Sequence, residues 1–333
     1  MTPRGPQPST ALLDDRFALS LRHPFTLDAA AGVGISRYRL RTLERDGYVR
    51  RLIKGVYVAA QVPDSRLLRS RALTLLVPEH GVVTDWTACW FWTGVLRPGD
   101  HLRDPTPTFF RTRGHGRLRN ELCASGERTL SADDVVAVDG LSVTTPLRTA
   151  WDIGRLTHRD TAIGGLDSLL RLGTFSRDDL LAGVERFRGM RGVVQLRALA
   201  PLADARAESP GESLLRLRWL DLTTLPRPEP QVRIVHEGVE VYRIDLAVPE
   251  LAYGCEYDGA DFHTSARDAD RDRRRRADLA DRFGWDVEAV TRADVFGPSR
   301  DVERRLHEGI TRARRSLARR TASASATRAG SAP

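Results

Sequence analysis

The sequence predicts a multidomain protein of mixed α+β class: an N-terminal winged helix-turn-helix, a mixed α+β middle region and a C-terminal α/β domain. Three observations carry this. Helical periodicity, glycine turns and a short basic β pair succeed one another before residue 60. Strand-like alternation interrupts helical periodicity between residues 104 and 145. After residue 205 the order becomes helix, three-stranded meander, helix, strand and helix, the pattern of a mixed α/β core. The expected divisions are 1–11 disordered, 12–60 winged helix, 64–205 connecting α+β region, 206–315 α/β domain and 316–333 disordered basic tail.

At 333 residues the chain can bury two or three cores. Its hydrophobic (41%) and charged (29%) fractions are those of a globular protein. The net charge of +8 and pI near 10.0 favour a polyanionic partner, nucleic acid first. Nearly all the positive charge is arginine. Lys54 is the one lysine, which excludes a lysine-dependent active site outside the first domain. Cys89, Cys123 and Cys255 form no CxxC pair, so neither a zinc knuckle nor a disulfide framework is expected. The first ten residues contain no apolar h-region and no window approaches 18 uninterrupted apolar residues. A cytoplasmic protein without a membrane partner is the expectation.

In the first domain, Leu12 to Arg22 reads as a helix with Leu12, Leu13, Phe17, Ala18 and Leu21 at helical spacing. Thr26 caps a second helix that ends at Gly32 and Gly34. Ser36 caps a third, which turns Leu40 and Leu43 inward and Arg37, Arg39, Arg41 and Arg45 outward. Two short β runs follow around Lys54 and Gly55, with Arg50 and Arg51 on the first. In a winged helix-turn-helix the third helix enters the major groove and the hairpin touches backbone. These seven basic residues are therefore candidate DNA contacts; the bland reading is a solvated basic face. The pattern SRYRLRTLERDGYVRRLIKGVYVAA resembles the N-terminal winged helix of AbiEi-type antitoxins of toxin-antitoxin systems.

The middle region opens with a helix in LLRSRALTLLV, its stripe formed by Leu68, Ala72, Leu75 and Leu76. VVTDWTACWFWTGVL is read as the next helix, capped by Thr84 or Asp85; Trp86, Trp90 and Trp92 could stack on bases but are assigned to the core. Strands then dominate to residue 145, with a hairpin at Asp139 and Gly140. Helices follow at TPLRTAWDI, Leu166 to Leu172 and Arg177 to Phe187. His101, His115 and His158 have no metal-ligand spacing and are read as surface residues. VVTDWTACW and VDGLSVTTPLRTAWD resemble the connecting region of the same antitoxin-like proteins, which implies a scaffold and a surface for a toxin protein.

In the last domain Ser209, Pro210 and Glu212 form a capping-box pattern ahead of Leu214, Leu215 and Trp219. Glu212 is either a cap or a carboxylate near a metal. Strands follow at VRIV, VEVYRIDLAV and LAYGCEYD. Ile244, Leu246 and Val248 share one face, leaving Asp245 on the other; Tyr253, Cys255 and Tyr257 likewise leave Glu256 and Asp258 on the opposite face. A turn centred on Glu250 and Leu251 sets Asp245 across from Glu256, Cβ atoms roughly 5 Å apart. Carboxylates so placed need a proton, an arginine or a divalent cation, and Mg²⁺ suits an all-oxygen site. Thr264 or Ser265 caps a basic helix containing Arg271 and Arg275; Trp285, Val287 and Ala289 mark a strand, and Pro298 to Ala313 a final helix.

The order Glu212, Asp245, Glu256-x-Asp258-Gly259, His263, then a basic helix and Gly284-Trp285, resembles the very-short-patch-repair-like endonucleases of the PD-(D/E)XK superfamily. The resemblance implies a restriction-endonuclease-like α/β fold and a catalytic set of Asp245, Glu256, Asp258, His263 and Glu212. Asp245 and Glu256 would hold Mg²⁺ or another divalent cation, which activates water against a DNA phosphodiester. The superfamily's usual lysine falls at Asp258, so Arg271, Arg275 or His263 would have to supply the missing charge or proton. Against an active site stands a plain ion-pair network between these acids and the neighbouring helix. Three functions follow: a DNA-binding Mg²⁺-dependent endonuclease, a non-enzymatic antitoxin-like repressor that keeps the fold as a platform, or an antitoxin whose middle region binds a toxin protein.

Overall fold

In the computed structural model, which describes residues 12–99, 108–111, 122–259, 266–298 and 300–329, Thr26 and Ser36 start the two helices of the N-terminal region. The Thr26 hydroxyl accepts from the Ala29 N–H at 3.1 Å, and the Ser36 hydroxyl accepts from the Arg39 N–H at 3.1 Å. Each satisfies a donor that the first helical turn leaves unpaired. The region runs β1 (Phe25–Thr26), α1 (Leu27–Gly32), α2 (Arg37–Arg45), β2 (Val49–Ile53) and β3 (Val56–Ala59), with sheet order β1-β3-β2. This is a winged helix-turn-helix, as expected.

The helix expected over Leu12 to Arg22 is absent. Gln61 explains it: its side-chain carbonyl accepts from the Leu13 N–H at 2.9 Å and its amide donates to the Leu13 carbonyl at 3.2 Å. Asp14 meanwhile takes the Arg16 N–H, a local bond that competes with helix. The apolar spacing still serves packing, since the Phe17 ring lies 6.2 Å from that of Phe25.

The β2–β3 hairpin turns inward. Leu52, Ile53, Val56 and Val58 are buried in one core with Leu68, Leu73, Trp90 and Phe91. Gly55 has φ +80°, and a Cβ there would stand 3.0 Å from the Leu122 side chain. The winged helix therefore shares a core with the middle region, where the sequence divides them near residues 60–64.

That region continues with α3 (Arg66–Thr74), β4 (Gly81–Val83), α4 (Asp85–Thr93), β5 (Thr108–Arg111), β6 (Ala124–Glu127), β7 (Val135–Val138), β8 (Leu141–Thr144) and α5 (Pro146–Leu156), its sheet ordered β6-β5-β4-β8-β7. Asp139 and Gly140 adopt φ 51° and 78°, the left-handed pair a two-residue hairpin requires. Trp86 and Trp90 are buried, and half-buried Trp92 donates to the Thr144 carbonyl at 2.9 Å. Leu75, expected inside, is 45% exposed; fully buried Leu73 takes the inward position. Asp152, also fully buried, accepts from Arg128 at 2.9 Å, Arg148 at 2.9 Å and Arg155 at 2.7 Å.

The chain forms two compact units, residues 1–157 with 172–201 and residues 158–171 with 202–333. Helix α6 (Arg159–Leu170) thus belongs to the second unit, not to a block spanning 64–205. It begins before the expected Leu166 because the His158 Nδ1 accepts from the Asp160 N–H at 3.3 Å as its cap. His158 is exposed, as expected, and also serves as a cap; His101 and His115 lie outside the described residues. Helices α7 (Arg177–Arg186) and α8 (Val193–Leu199) complete the first unit, and the Trp151 indole N–H on α5 donates to the Leu180 carbonyl on α7 at 3.1 Å.

In the second unit α6 packs against α9 (Pro210–Asp221), joined by the buried pair Arg216–Asp167 at 2.7 Å. Its sheet holds β9 (Glu229–His236), β10 (Val239–Val248), β11 (Tyr253–Asp258) and β12 (Asp286–Thr291) in the order β12-β11-β10-β9; β11 and β12 are parallel and the other neighbours antiparallel. Helix α10 (Ala266–Phe283) links β11 to β12, followed by α11 (Arg292–Val295) and α12 (Val302–Ala329). The tail expected to be disordered from 316 continues α12 to Ala329, where alanine and arginine favour helix and no glycine intervenes before Gly330. Residues 1–11, Thr264, Ser265 and 330–333 lie outside the described residues. All three cysteines are buried free thiols. No helix among the described residues is long and apolar enough to cross a membrane.

Candidate functional site

Two places gather the sequence-predicted residues, one in each unit. On α2, Leu40 (1% exposed) and Leu43 (7%) anchor the inner face, while Arg37, Arg39, Arg41 and Arg45 are exposed as expected. The four are not equivalent. The Arg45 Nε donates to the Asp46 carboxylate at 2.9 Å, which ties that side chain to the helix end. The basic residues of the wing are tied more firmly. Arg50 donates to the Val62 carbonyl at 2.9 Å, and burial lowers its pKa. Arg51 pairs with Glu44 at 3.0 Å and lies 5.0 Å from the Tyr57 ring centroid. Lys54 is half-buried at the inward-turned hairpin tip. Arg37, Arg39 and Arg41 remain as the open basic ridge, and Arg50 and Arg51 act within their own domain. Sequence reasoning passed over Tyr38, which is 80% exposed between two of these arginines; projecting the helix at 100° per residue from Leu40 and Leu43 would have found it.

In the second unit the β10–β11 pairing sets Val248 opposite Tyr253 and Leu246 opposite Cys255. This is the expected register, and one further step brings Asp245 opposite Glu256. The Asp245 carboxylate accepts the Tyr257 N–H at 2.9 Å. Glu212 arrives from α9 because Gly211 lets that helix close on β11: a Cβ at 211 would lie 2.0 Å from the Tyr257 ring. The Glu212 carboxylate accepts from the Glu208 N–H at 2.9 Å and from the Gln231 amide at 3.0 Å. Its reach-back therefore goes to Glu208, while Ser209 caps through the Glu212 N–H at 3.2 Å. Burial and the facing Glu212 push the Asp245 pKa up to about 7, with Glu256 adding to the rise, against the Tyr257 N–H and Arg275 that lower it. Burial also raises the pKa of Glu212.

Arg275 answers the crowding. Its two terminal nitrogens each donate to a Glu256 oxygen at 2.6 Å, and one also donates to the Arg243 carbonyl at 2.9 Å. The guanidinium lies 5.6 Å from the Tyr242 ring centroid. Asp258 and Arg271 are exposed, and His263 lies outside the described residues. Among the described residues no group of three or more His, Cys, Asp or Glu side chains is placed to hold a metal ion. Both Glu256 oxygens accept from Arg275 and the Asp245 pKa is raised to about 7, so a divalent cation here would have to displace Arg275 and the Asp245 proton.

The fold and the basic ridge define a protein with a winged helix that exposes arginines on its second helix. Residues 16–60 match the family model described as a transcriptional regulator, AbiEi antitoxin, and residues 87–202 match the AbiEi antitoxin C-terminal domain. The chain is 31% identical over 289 residues to the Mycobacterium tuberculosis proteins "Uncharacterized protein MT2308" (strain CDC 1551 / Oshkosh) and "Uncharacterized protein Rv2248" (strain ATCC 25618 / H37Rv), an alignment covering 84% of this chain and 99% of each relative. The chain belongs to one family with these relatives and carries AbiEi antitoxin-type domains at residues 16–60 and 87–202. Both domain matches end before Glu212, so the likeness of residues 206–315 to very-short-patch-repair-like endonucleases rests on the motif residues alone.

Proposed function

We propose that the protein is a DNA-binding regulator of the antitoxin type, in which α2 docks in the major groove of duplex DNA and the C-terminal unit serves as a non-hydrolytic platform. The carrying observation is the exposed ridge of Arg37, Arg39 and Arg41 on a helix that Leu40 and Leu43 fix to the core. Guanidinium groups so presented neutralise phosphates and release counterions, which makes binding fall steeply with salt. The antitoxin description of residues 87–202 supports a toxin protein as a second partner. Fluorescence anisotropy with duplex DNA from the protein's own upstream region tests this reading. Salt-dependent binding that weakens in the variant Arg39→Ala plus Arg41→Ala is expected; salt-independent binding, or none, would refute it.

A second reading has one observation in its favour, the convergence of Asp245, Glu212 and Glu256 with Asp245 raised to about 7. Perturbed carboxylates of this kind accompany catalysis of proton or phosphoryl chemistry. Phosphodiester hydrolysis would require Arg275 to release Glu256 so that it and Asp245 could take a divalent cation. Supercoiled plasmid incubated with the protein and Mg²⁺ separates the readings. No nicking by wild type is expected; nicking that disappears in Asp245→Ala plus Glu256→Ala would establish the enzyme instead.

A further inference from the structure

Tyr38 is the most exposed large hydrophobic side chain among the described residues, at 80%. It stands in the first turn of α2, between Arg37 and Arg39. Taking Leu40 and Leu43 as the inward direction and turning 100° per residue, Tyr38 lies almost opposite the core. Arg41 and Arg45 fall on one side of it and Thr42 on the other. Thr42 donates its hydroxyl to the Tyr38 carbonyl at 3.2 Å, and Arg45 is drawn back to Asp46. The centre of the outward face is therefore left to one aromatic side chain, with Arg37 and Arg39 on the flanks and Arg41 beside it.

Phosphate contacts position a helix in the groove without reading sequence; base edges must be met by the side chains at the middle of the face. The first residues of a recognition helix are the ones that reach those edges. A tyrosine there offers an apolar ring for a thymine methyl and a hydroxyl that can donate to or accept from a base edge. We infer that Tyr38 is the specificity-determining residue of α2, reading base pairs in the major groove of double-stranded DNA while Arg37 and Arg39 hold the flanking phosphates. This inference rests on the DNA-binding reading above.

The full-length chain is used to select a preferred site from random duplex DNA, and anisotropy then measures binding to that duplex and a scrambled one at several salt concentrations. Tyr38→Ala should lose about ten- to a hundredfold on the selected duplex, the loss typical of one misread base pair, with scrambled-duplex affinity and salt slope unchanged. Arg39→Ala should weaken both duplexes and reduce the salt slope by about one. Selection repeated with Tyr38→Gln should yield a sequence altered at one or two positions. Equal loss on both duplexes in Tyr38→Ala, no loss, or an unaltered preferred sequence with Tyr38→Gln overturns the role of Tyr38 and leaves the DNA-binding reading standing. Wild type that binds neither duplex overturns both.

Discussion

Arg275 holds both carboxylate oxygens of Glu256 at 2.6 Å, bridging α10 to β11 across the face that also presents Asp245. The Glu256 side chain is 12% exposed and that of Arg275 30%. A charge pair so far out of water is costly to break from one side, because the survivor is left without its partner. Arg275→Ala is expected to destabilise the second unit by about 1–3 kcal/mol, a value discounted for the partial exposure of Arg275. Adding Glu256→Gln should recover part of the loss. Urea unfolding of the single and double variants measures both. Millimolar Mg²⁺ should leave the wild-type Tm unchanged; a rise would mean that a cation displaces Arg275.

Asp245 gives the second unit a pH dependence. Its folded pKa of about 7 lies above the unfolded value near 3.9, so the folded state holds a proton that the unfolded state has released between those limits. Its contribution to stability is complete below about pH 4, is lost as pH rises through 7, and is constant above. Asp245→Asn keeps an acceptor for the Tyr257 N–H and mimics the protonated acid. It should be near neutral at pH 4 and stabilising by about 1–3 kcal/mol at pH 8. Equal effects at the two pH values would show that Asp245 titrates normally.

In the first unit Asp152 is fully buried and receives Arg128, Arg148 and Arg155. Asp152→Ala takes from Arg155 the carboxylate it pairs with, while Arg128 keeps Asp85 and Arg148 keeps Asp134, and should cost about 3–5 kcal/mol. Thermal unfolding would register this as a large fall in Tm or a loss of soluble protein.

Gly211→Ala tests how Glu212 reaches the pocket. The added methyl would overlap the Tyr257 ring, so α9 or β11 must shift. A loss of about 1–3 kcal/mol is expected, with the pH dependence of the second unit reduced as Glu212 moves away from Asp245. An unchanged Tm would mean that Tyr257 rotates aside freely.

Much of this architecture was legible because short-range rules govern it. Thr26, Ser36, Thr145 and Ser209 all cap the helices they precede. The parity of Ile244, Leu246 and Val248 against Tyr253 and Cys255 places Asp245 opposite Glu256 once Glu250 and Leu251 form the turn. What failed depended on distant partners. Leu13 gave its backbone to Gln61 in place of a helix, the tip at Gly55 packed under Leu122, and α6 joined α9 across some forty residues of intervening chain.

The candidate sites divide along the same line. The sequence by itself determined which residues carry charge and which face of each element they occupy: Arg37, Arg39 and Arg41 outward on α2, Asp245 and Glu256 together on one side of the hairpin. Period and capping suffice for that, since both are properties of neighbours in the chain. Only the tertiary structure decided how each charge is used. It withdrew Arg50 and Arg51 to Val62 and Glu44, left Tyr38 at the centre of the outward face, and brought Arg275 from another helix onto Glu256. A charge takes the nearest partner that packing supplies, and for Glu256 that partner lies 19 residues along the chain on another element.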